Sequence, residues 1–198
     1  MKTLVCTGGI GAGKSYVTSI LNKMGYPVYN SDYRTKELYN TNKDLLNMLT
    51  DLLGKELLEN GRLNRQYMAQ KIFADKSLLE KVNSIVHPFV YKDFINWREN
   101  NRNRGVELVL FESAIFFESP MFKDIADYVL VVSAPLELRI SRVSSRDNLK
   151  REDVINRINK QASQELKEAQ SDFIIFADDN LELLPQIYEM LNKMRIYR

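Results

Sequence analysis

Short apolar runs separated by segments of helical periodicity mark the beginning and the end of the chain. Five runs have the length and composition of buried strands, at residues 4–6, 27–29, 106–111, 128–132 and 173–176. Apolar residues recur with the helical period of about 3.6 over residues 14–24, 136–146, 152–168 and 181–194. Strands that alternate with helices are typical of a parallel sheet flanked by helices. We therefore predict an α/β protein with a five-stranded parallel sheet.

The middle of the chain keeps the helical period without another long strand pattern. Turn signals at Gly54 and Asn60-Gly61 divide this region, and a last helix is expected to begin at Pro88, because the residue before a proline disfavours the helical conformation. An insertion of about 70 residues is much longer than an ordinary crossover helix. We therefore predict that residues 33–105 form a helical insertion that builds a binding surface.

A phosphate-binding loop follows the first strand. Residues 7–15 read TGGIGAGKS and fit the pattern G-x-x-x-x-G-K-[ST]. A triphosphate needs backbone N–H donors from many directions, and glycines leave room for that approach. Lys14 should reach the outer phosphates, Ser15 should bind a bridging Mg²⁺, and the start of the next helix should face the same anion. The predicted nucleotide-binding residues here are Gly8, Gly9, Gly11, Ala12, Gly13, Lys14, Ser15 and Tyr16.

Two other interpretations of this loop are less favoured. A glycine turn without a ligand is possible, but the strand before it and the helix after it favour a binding site. A dinucleotide-binding fingerprint that begins at Gly9 would require a third glycine at the position of Lys14.

Two acidic residues follow predicted strands. The carboxyl ends of parallel strands face the ligand crevice, so Asp32, after the second strand, should lie near the phosphates. Alternatively, Ser31 or Asp32 merely caps the next helix. Glu112 ends the third strand, where a metal-directed carboxylate of phosphate-loop proteins is found, and should reach a water on the metal. The alternative for Glu112 is an ordinary acidic residue at a strand end.

The region between the fourth and fifth strands is rich in arginine. Arg139, Arg142 and Arg146 recur at i, i+3 and i+7 on one predicted helix, and Arg157 precedes Gln161 by about one turn on the next. Like charges at these spacings repel, and an anion between them would remove the repulsion. Residues 136–170 are therefore predicted to form a mobile lid that brings guanidinium groups onto phosphates and excludes water. The alternative is a solvated charged helix face.

Composition limits the partners and the compartment. The net charge is +2, with 44% hydrophobic and 27% charged residues, so the totals do not indicate nucleic-acid binding. The single cysteine, Cys6, excludes an internal disulfide; we expect it to pack in the core and the protein to occupy a reducing compartment. No apolar run approaches the roughly 18 residues of a membrane span, and the first residues lack the layout of a signal peptide. The expectation is a soluble, cytoplasmic protein without membrane or nucleic-acid partners.

Together these residues resemble the dephospho-CoA kinases over almost the full length of the chain. The matching landmarks are residues 7–15, Asp32, residues 61–65 (GRLNR), residues 82–88 (VNSIVHP), Glu112, residues 116–118 (FFE), Arg142, Arg146, residues 157–161 and residues 171–173 (SDF). The resemblance implies a P-loop kinase fold with three parts: a nucleotide-binding core of residues 1–32, 106–135 and 171–198, an acceptor-binding insertion of residues 33–105, and a lid of residues 136–170. It also implies that ATP, with Mg²⁺, phosphorylates the ribose 3′-hydroxyl of dephospho-CoA in the final step of coenzyme A biosynthesis.

The resemblance implies roles for single residues. Asp32 would accept the proton of the attacking hydroxyl, with Lys14 and Arg142 as further catalytic residues. Arg142 and Arg146 would bind ATP together with the loop. The metal would be held by Ser15 and, through water, by Glu112. The implied acceptor-binding residues are Asp32, Lys36, Arg65, His87 and Glu118. The expected assembly is a monomer or a weak homo-oligomer.

Several positions depart from the family pattern. Asn30 stands where an acidic residue is usual, Glu112 replaces an aspartate, Ala114 replaces a proline, and Phe176-Ala177 occupies the place of an asparagine near the adenine. Strict preference for ATP therefore stays open, as does transfer to another small acceptor such as a nucleoside monophosphate. A regulatory GTPase is disfavoured, because the D-x-x-G match at residues 51–54 ends a predicted helix and no Asn-Lys-x-Asp motif occurs.

Overall fold

The computed structural model describes residues 1–196, and at residues 73 and 74 it describes the backbone alone. The chain forms two compact units, one made of Met1–Tyr29 and the chain from Asn100 onward, and the other of Asn30–Glu99. Residues 197 and 198, which the predicted core includes, lie outside the described residues.

Strands and helices alternate in the first unit, whereas the second is mostly helical. The strands are β1 (Lys2–Thr7), β2 (Val28–Asn30), β3 (Leu58–Glu59), β4 (Arg62–Leu63), β5 (Leu108–Glu112), β6 (Tyr128–Ser133) and β7 (Phe173–Phe176). The helices are α1 (Lys14–Lys23), α2 (Ser31–Thr41), α3 (Lys43–Leu53), α4 (Arg65–Ala74), α5 (Lys76–Asn103), α6 (Leu136–Asp147), α7 (Arg151–Ile158), α8 (Gln164–Ala169) and α9 (Leu183–Lys193). Short 3₁₀ helices span Lys55–Leu57 and Pro120–Ile125. Within residues 1–196, no helix is long and apolar enough to cross a bilayer.

The first unit is built on a five-stranded sheet with the strand order β2-β5-β1-β6-β7. β1 pairs in parallel with β5 and β6, and β6 pairs in parallel with β7. Cys6 lies opposite Glu112 and Ser133 lies opposite Phe176, so the carboxyl ends of these strands meet at one edge of the sheet. The predicted α/β fold with a five-stranded parallel sheet flanked by helices is confirmed. In such sheets this edge is where ligands bind.

The central strand β1 is buried on both faces. Leu4, Val5 and Cys6 have no exposed surface, which explains an unbroken apolar run in place of alternation. Val17 and Leu21 of α1 pack in the same core. Burial raises the pKa of the Cys6 thiol far above its ordinary range, so the thiol stays protonated and unreactive. The prediction that Cys6 is a core residue is confirmed.

Helix α5 continues through Pro88, so the predicted helix start at this residue is wrong. A proline in a helix interior costs about 3 kcal/mol. One face of α5 carries buried side chains four residues apart on both sides of the proline: Val82, Val86, Val90 and Phe94. Burial of each contributes roughly 1.5–3 kcal/mol. This continuous apolar stripe outweighs the local cost of the proline.

Strands β3 and β4 form an antiparallel hairpin that the apolar pattern does not predict. Its turn residues, Asn60 and Gly61, have φ values of 52° and 74°. Positive φ at both central residues is what a tight hairpin turn requires, and Asn-Gly is its strongest sequence signal. The dipeptide therefore marks a hairpin and not only a boundary between helices.

The predicted helix over residues 152–168 is two helices, α7 and α8, so the prediction of one helix is wrong. Ser163 is the N-cap of α8, and its side-chain oxygen accepts the N–H of Leu166 at 3.2 Å. A serine that caps a new helix competes with continuation of the preceding one. Gln161 therefore lies in the turn between the helices and not one turn beyond Arg157.

Candidate active site

The loop between β1 and α1 carries the predicted phosphate site. Gly13 is the N-cap of α1, with φ of 97°, and the first turn of α1 contains no acidic residue. The Lys14 ammonium bends back along the loop and donates to the carbonyl oxygens of Gly8 and Gly9, each at 3.1 Å. The positive end of the helix and the lysine charge thus lie at the same loop, as an anion-binding site requires.

Three of the loop glycines lie against the surrounding protein, and at Gly8 and Gly11 the neighbouring atom is a backbone oxygen that cannot easily move. A Cβ atom at Gly8 would overlap the carbonyl oxygen of Val132 in β6. A Cβ atom at Gly9 would overlap the guanidinium of Arg139, and one at Gly11 the carbonyl oxygen of the same arginine. The space left by the missing side chains at these glycines is therefore filled in part by β6 and α6, and not only by a bound phosphate. The glycines thus allow β6 and α6 to pack directly against the backbone of the loop.

Glu112 links the end of β5 to α1. Its Oε1 accepts a hydrogen bond from the Ser15 hydroxyl at 2.6 Å, and its Oε2 accepts one from the Thr18 hydroxyl at 2.8 Å. The residue is 6% exposed. The structure therefore brings together the two residues predicted to hold a metal. Thr18 is absent from the sequence prediction, although its position one turn after Ser15 places it on the same face of the helix.

The Ser15–Glu112 pair fits a hard cation. Hydroxyl and carboxylate oxygens are the ligand types of Mg²⁺, which usually keeps several waters and takes further oxygens from substrate phosphates. Within the described part of the chain, no cluster of three His, Cys, Asp or Glu side chains could hold a metal. A cation at Ser15 would therefore depend on oxygens from a nucleotide and from water.

Two cavities adjoin the loop and share Gly13, Tyr16 and Arg142. The larger has a volume of about 790 Å³ and lies between α1 and residues in the range 177–185. The smaller, of about 170 Å³, is lined by the loop from Gly11 and by α6. Pockets for small molecules typically measure roughly 300–1,000 Å³. The pair suits a ligand with phosphates in the smaller cavity and a ring system in the larger.

Arg142 and Arg146 both line the smaller cavity. Arg142 donates to the carbonyl oxygen of Ala177 at 3.0 Å and to Asp179 at 2.8 Å. Arg146 pairs with Asp147 at 2.7 Å. Arg142 therefore stands where the two cavities meet, and its position is fixed from the β7 side.

Arg139 does not line this cavity. It is 5% exposed, and its Nε donates to the carbonyl oxygen of Ile10 at 3.1 Å. The expectation that one anion lies between Arg139, Arg142 and Arg146 is wrong for Arg139. Regular spacing along a helix does not reveal which positions become buried against another segment.

Glu118 belongs to the first unit and contacts the chain after α7. Its carboxylate accepts the N–H of Ala162 at 2.8 Å and pairs with the Lys167 ammonium at 3.4 Å. The Lys167 side chain is fully buried, and burial lowers its pKa, while the charge of Glu118 opposes that shift. Glu118, predicted to bind the acceptor, thus has partners within the predicted lid.

Asp32 belongs to the second unit, in the first turn of α2. The N-cap of that helix is Asn30, whose side chain accepts the N–H of Tyr33 at 2.9 Å. The alternative that Ser31 or Asp32 caps the helix is therefore wrong. The Asp32 carboxylate is exposed and is not used as the cap.

The second unit also holds three other residues predicted to bind the acceptor. The Arg65 guanidinium lies 3.5 Å from the carbonyl oxygen of Lys36, so the structure brings these two residues together. Nearby Tyr39 has a pKa raised by burial, an effect that the positive charge of Arg65 counteracts. His87 is half-buried in α5, and burial lowers its pKa.

The chain is similar to proteins of one family over most of its length. A family model described as dephospho-CoA kinase matches residues 3–182. The dephospho-CoA kinase of Bacteroides fragilis (strain YCH46) is 40% identical over 185 residues, which cover 93% of this chain and 89% of that protein. The dephospho-CoA kinase of Porphyromonas gingivalis (strain ATCC BAA-308 / W83) is 39% identical over 199 residues, with coverage of 100% and 96%. The crystal structure of TT1252 from Thermus thermophilus matches with a TM-score of 0.82 at 31% identity, covering 98% of this chain and 97% of that one.

Proposed function

Because the chain belongs to the dephospho-CoA kinase family, we propose that it transfers the γ-phosphate of ATP to the ribose 3′-hydroxyl of dephospho-CoA, giving CoA and ADP. This reaction is the final step of coenzyme A biosynthesis. The observation that carries the proposal is the family match over residues 3–182. The glycine loop with Ser15 held against Glu112 supports the same chemistry.

We propose that ATP occupies the two cavities beside the loop. The phosphates lie in the smaller cavity, where Lys14, Arg142 and Arg146 supply positive charge, and the base and ribose lie in the larger. The ring of Tyr16, which is 65% exposed and lines both cavities, offers an apolar face to the base. Ser15 is proposed as a direct Mg²⁺ ligand, with Glu112 acting through a metal-bound water. When bound, the metal neutralises charge on the phosphates.

For the acceptor, we propose Asp32 as the general base. The 3′-oxygen forms a bond to the γ-phosphorus, the bond from that phosphorus to the β,γ-bridging oxygen breaks, and the hydroxyl proton passes to the Asp32 carboxylate. Lys36, Arg65, His87 and Glu118 are proposed to contact the acceptor. The Arg65 guanidinium, which lies against the main-chain carbonyl oxygen of Lys36, and the Lys36 ammonium are proposed to bind the anionic groups of the acceptor.

An acceptor panel tests the proposed function. Purified protein is incubated with ATP and Mg²⁺, and ADP is measured with dephospho-CoA, with each nucleoside monophosphate, and without acceptor. Dephospho-CoA is expected to stimulate ADP release and to gain one phosphate by mass. Lack of this stimulation rejects the proposal, and turnover of a nucleoside monophosphate in its place assigns the alternative acceptor. Replacing ATP by GTP in the same assay measures the preference for the base.

We expect Glu112→Gln to raise the Mg²⁺ concentration required for half-maximal activity by about 10- to 100-fold, the usual effect of losing a group that orients a metal ligand. The amide keeps the size of the carboxylate but loses its charge. The measurement is a Mg²⁺ titration of ADP release. Thr18→Val is the matched control, because it removes the Thr18 bond to Glu112 and keeps the carboxylate. An unchanged requirement in Glu112→Gln contradicts the metal assignment.

His87 gives a pH-dependent signal for acceptor binding. It is the only histidine of the chain, and burial lowers its pKa below 6.5. Neutral imidazole is therefore favoured in the folded protein, so stability is expected to fall as the pH falls through 6.5 toward the lowered value. An NMR titration should give a midpoint below 6.5, and His87→Gln should remove this part of the pH dependence. Anionic dephospho-CoA is expected to raise the midpoint. A midpoint that does not move at saturating acceptor removes His87 from the proposed site.

We also propose that the protein acts in the cytoplasm as a monomer or weak homo-oligomer, without nucleic-acid or membrane partners. The single, buried cysteine supports a reducing compartment. Sedimentation at several protein concentrations tests the assembly, and a tight dimer at micromolar concentration contradicts it.

A further inference from the structure

Ile10, near the middle of the phosphate loop, has both backbone polar groups bonded to side chains from distant parts of the first unit. Its N–H donates to Oε1 of Gln161 at 2.9 Å. Its carbonyl oxygen accepts from Nε of Arg139 at 3.1 Å. Backbone groups of a loop need partners, and here one side chain bonds the N–H of Ile10 and another bonds its carbonyl oxygen. The two bonds therefore fix the direction of the neighbouring peptide planes.

Arg139 contacts the loop over consecutive residues. Besides its bond to Ile10, its guanidinium lies where a Cβ at Gly9 would be, and its carbonyl oxygen lies where a Cβ at Gly11 would be. The residue is 5% exposed, so its charge is held behind the loop and not in solvent. A buried positive charge at this position also strengthens the attraction of the loop for an anion.

Gln161 is itself held in place by neighbouring contacts. Its own N–H donates to Ile158 at 3.0 Å, and the next N–H, of Ala162, donates to Glu118 at 2.8 Å. Glu118 is in turn paired with the buried Lys167. The Gln161 side chain therefore starts from an anchored turn, so its bond to Ile10 does not also have to order the backbone of that turn.

We propose that Gln161 and Arg139 are positioning residues that preorganise the phosphate loop by bonding the N–H and the carbonyl oxygen of Ile10. With the peptide planes fixed, the loop N–H groups are aimed before a nucleotide arrives, so binding does not have to order them. The inference rests on the proposed function for the identity of the nucleotide. It adds that the turn between α7 and α8, within the predicted lid, takes part in shaping the triphosphate site.

The first test is hydrogen exchange at the Ile10 amide, measured without any substrate. Gln161→Met keeps the length of the side chain and removes its acceptor, so exchange at Ile10 is expected to be about tenfold or more faster than in the unmodified protein. Gln161→Glu keeps an acceptor oxygen and should retain protection. Gln170→Met, at an exposed glutamine after α8, is the matched control and should exchange as the unmodified protein does. Unchanged exchange in Gln161→Met, or loss of protection in Gln161→Glu, overturns the assignment.

The second test is nucleotide affinity, measured by calorimetry with ATP and Mg²⁺. Loss of one loop hydrogen bond in Gln161→Met is expected to weaken binding by about 5- to 10-fold and to raise the KM for ATP in proportion. The KM for dephospho-CoA should stay within about twofold. Equal weakening for both substrates indicates general disruption and overturns the positioning role. Hydrogen exchange and calorimetry are both measured without an acceptor. They can therefore support the positioning role even if the acceptor panel rejects the proposed reaction.

Discussion

Asp32→Asn is expected to slow phosphoryl transfer to dephospho-CoA by about 10²- to 10⁴-fold, the usual contribution of a general base. The amide cannot accept the proton of the 3′-hydroxyl, while the shape of the side chain is retained. Affinity for ATP should change by no more than about twofold, because the proposed role begins only with the acceptor. Single-turnover transfer and calorimetry with ATP measure the two quantities separately.

Asp44→Asn provides a closely matched control for this change. Asp32 and Asp44 each lie two residues after an asparagine N-cap, in the first turns of α2 and α3, and both are exposed. Each carboxylate therefore stabilises its helix through the dipole by about 0.3–1 kcal/mol. Similar loss of stability in both variants, with transfer lost only in Asp32→Asn, separates chemistry from helix stability. If Asp44→Asn slows transfer equally, or if Asp32→Asn keeps full activity, Asp32 is not the base.

The elements of the core could be predicted because their signals are local. In β1, Leu4 to Cys6 read as an unbroken apolar run, since both faces of a parallel strand are covered. The glycine loop has a fixed spacing from Gly8 to Ser15, and Glu112 ends a recognisable strand. Adjacent strands of the sheet bring these local signals to one edge, so the Ser15–Glu112 pair follows from them.

The errors arise where tertiary contacts override a local signal. The sequence pattern predicts that a helix starts at Pro88. In the structure, burial of valines on both sides of the proline stabilises α5 as one continuous helix. Arg139 shares its spacing with the half-buried Arg142 and the exposed Arg146 and is nevertheless buried behind the loop. The sequence pattern predicts that Gln161 lies in a helix. In the structure it lies in the turn before α8, which begins after its N-cap Ser163, and its proposed role depends on that turn. The partner of a buried polar side chain comes from another segment of the chain. The spacing of residues along one helix therefore cannot predict which residue that partner is.

Lys14→Ala is expected to lower kcat/KM for ATP by at least about 10²-fold, comparable with the loss of a group that stabilises the transition-state charge. In the structure the Lys14 ammonium donates to Gly8 and Gly9, so the charge is held at the loop before the nucleotide binds. Its removal takes away a donor from two loop carbonyl oxygens and the cation that we propose to lie at the β- and γ-phosphates. Both nucleotide affinity and the rate of transfer should therefore fall. Calorimetry with ATP and single-turnover transfer are the measurements.

Lys23→Ala is the matched control, because Lys23 is exposed in the last turn of the same helix and lies away from the loop. It is expected to bind ATP and to transfer phosphate as the unmodified protein does. The comparison with Asp32→Asn is the decisive one: Lys14→Ala should lose nucleotide affinity and Asp32→Asn should not. If the two variants lose nucleotide affinity equally, the division of roles between a phosphate-binding loop and a separate base is wrong. If Lys14→Ala binds ATP normally, the phosphates do not lie against the Lys14 ammonium, and the proposed seating of ATP in the two cavities fails with it.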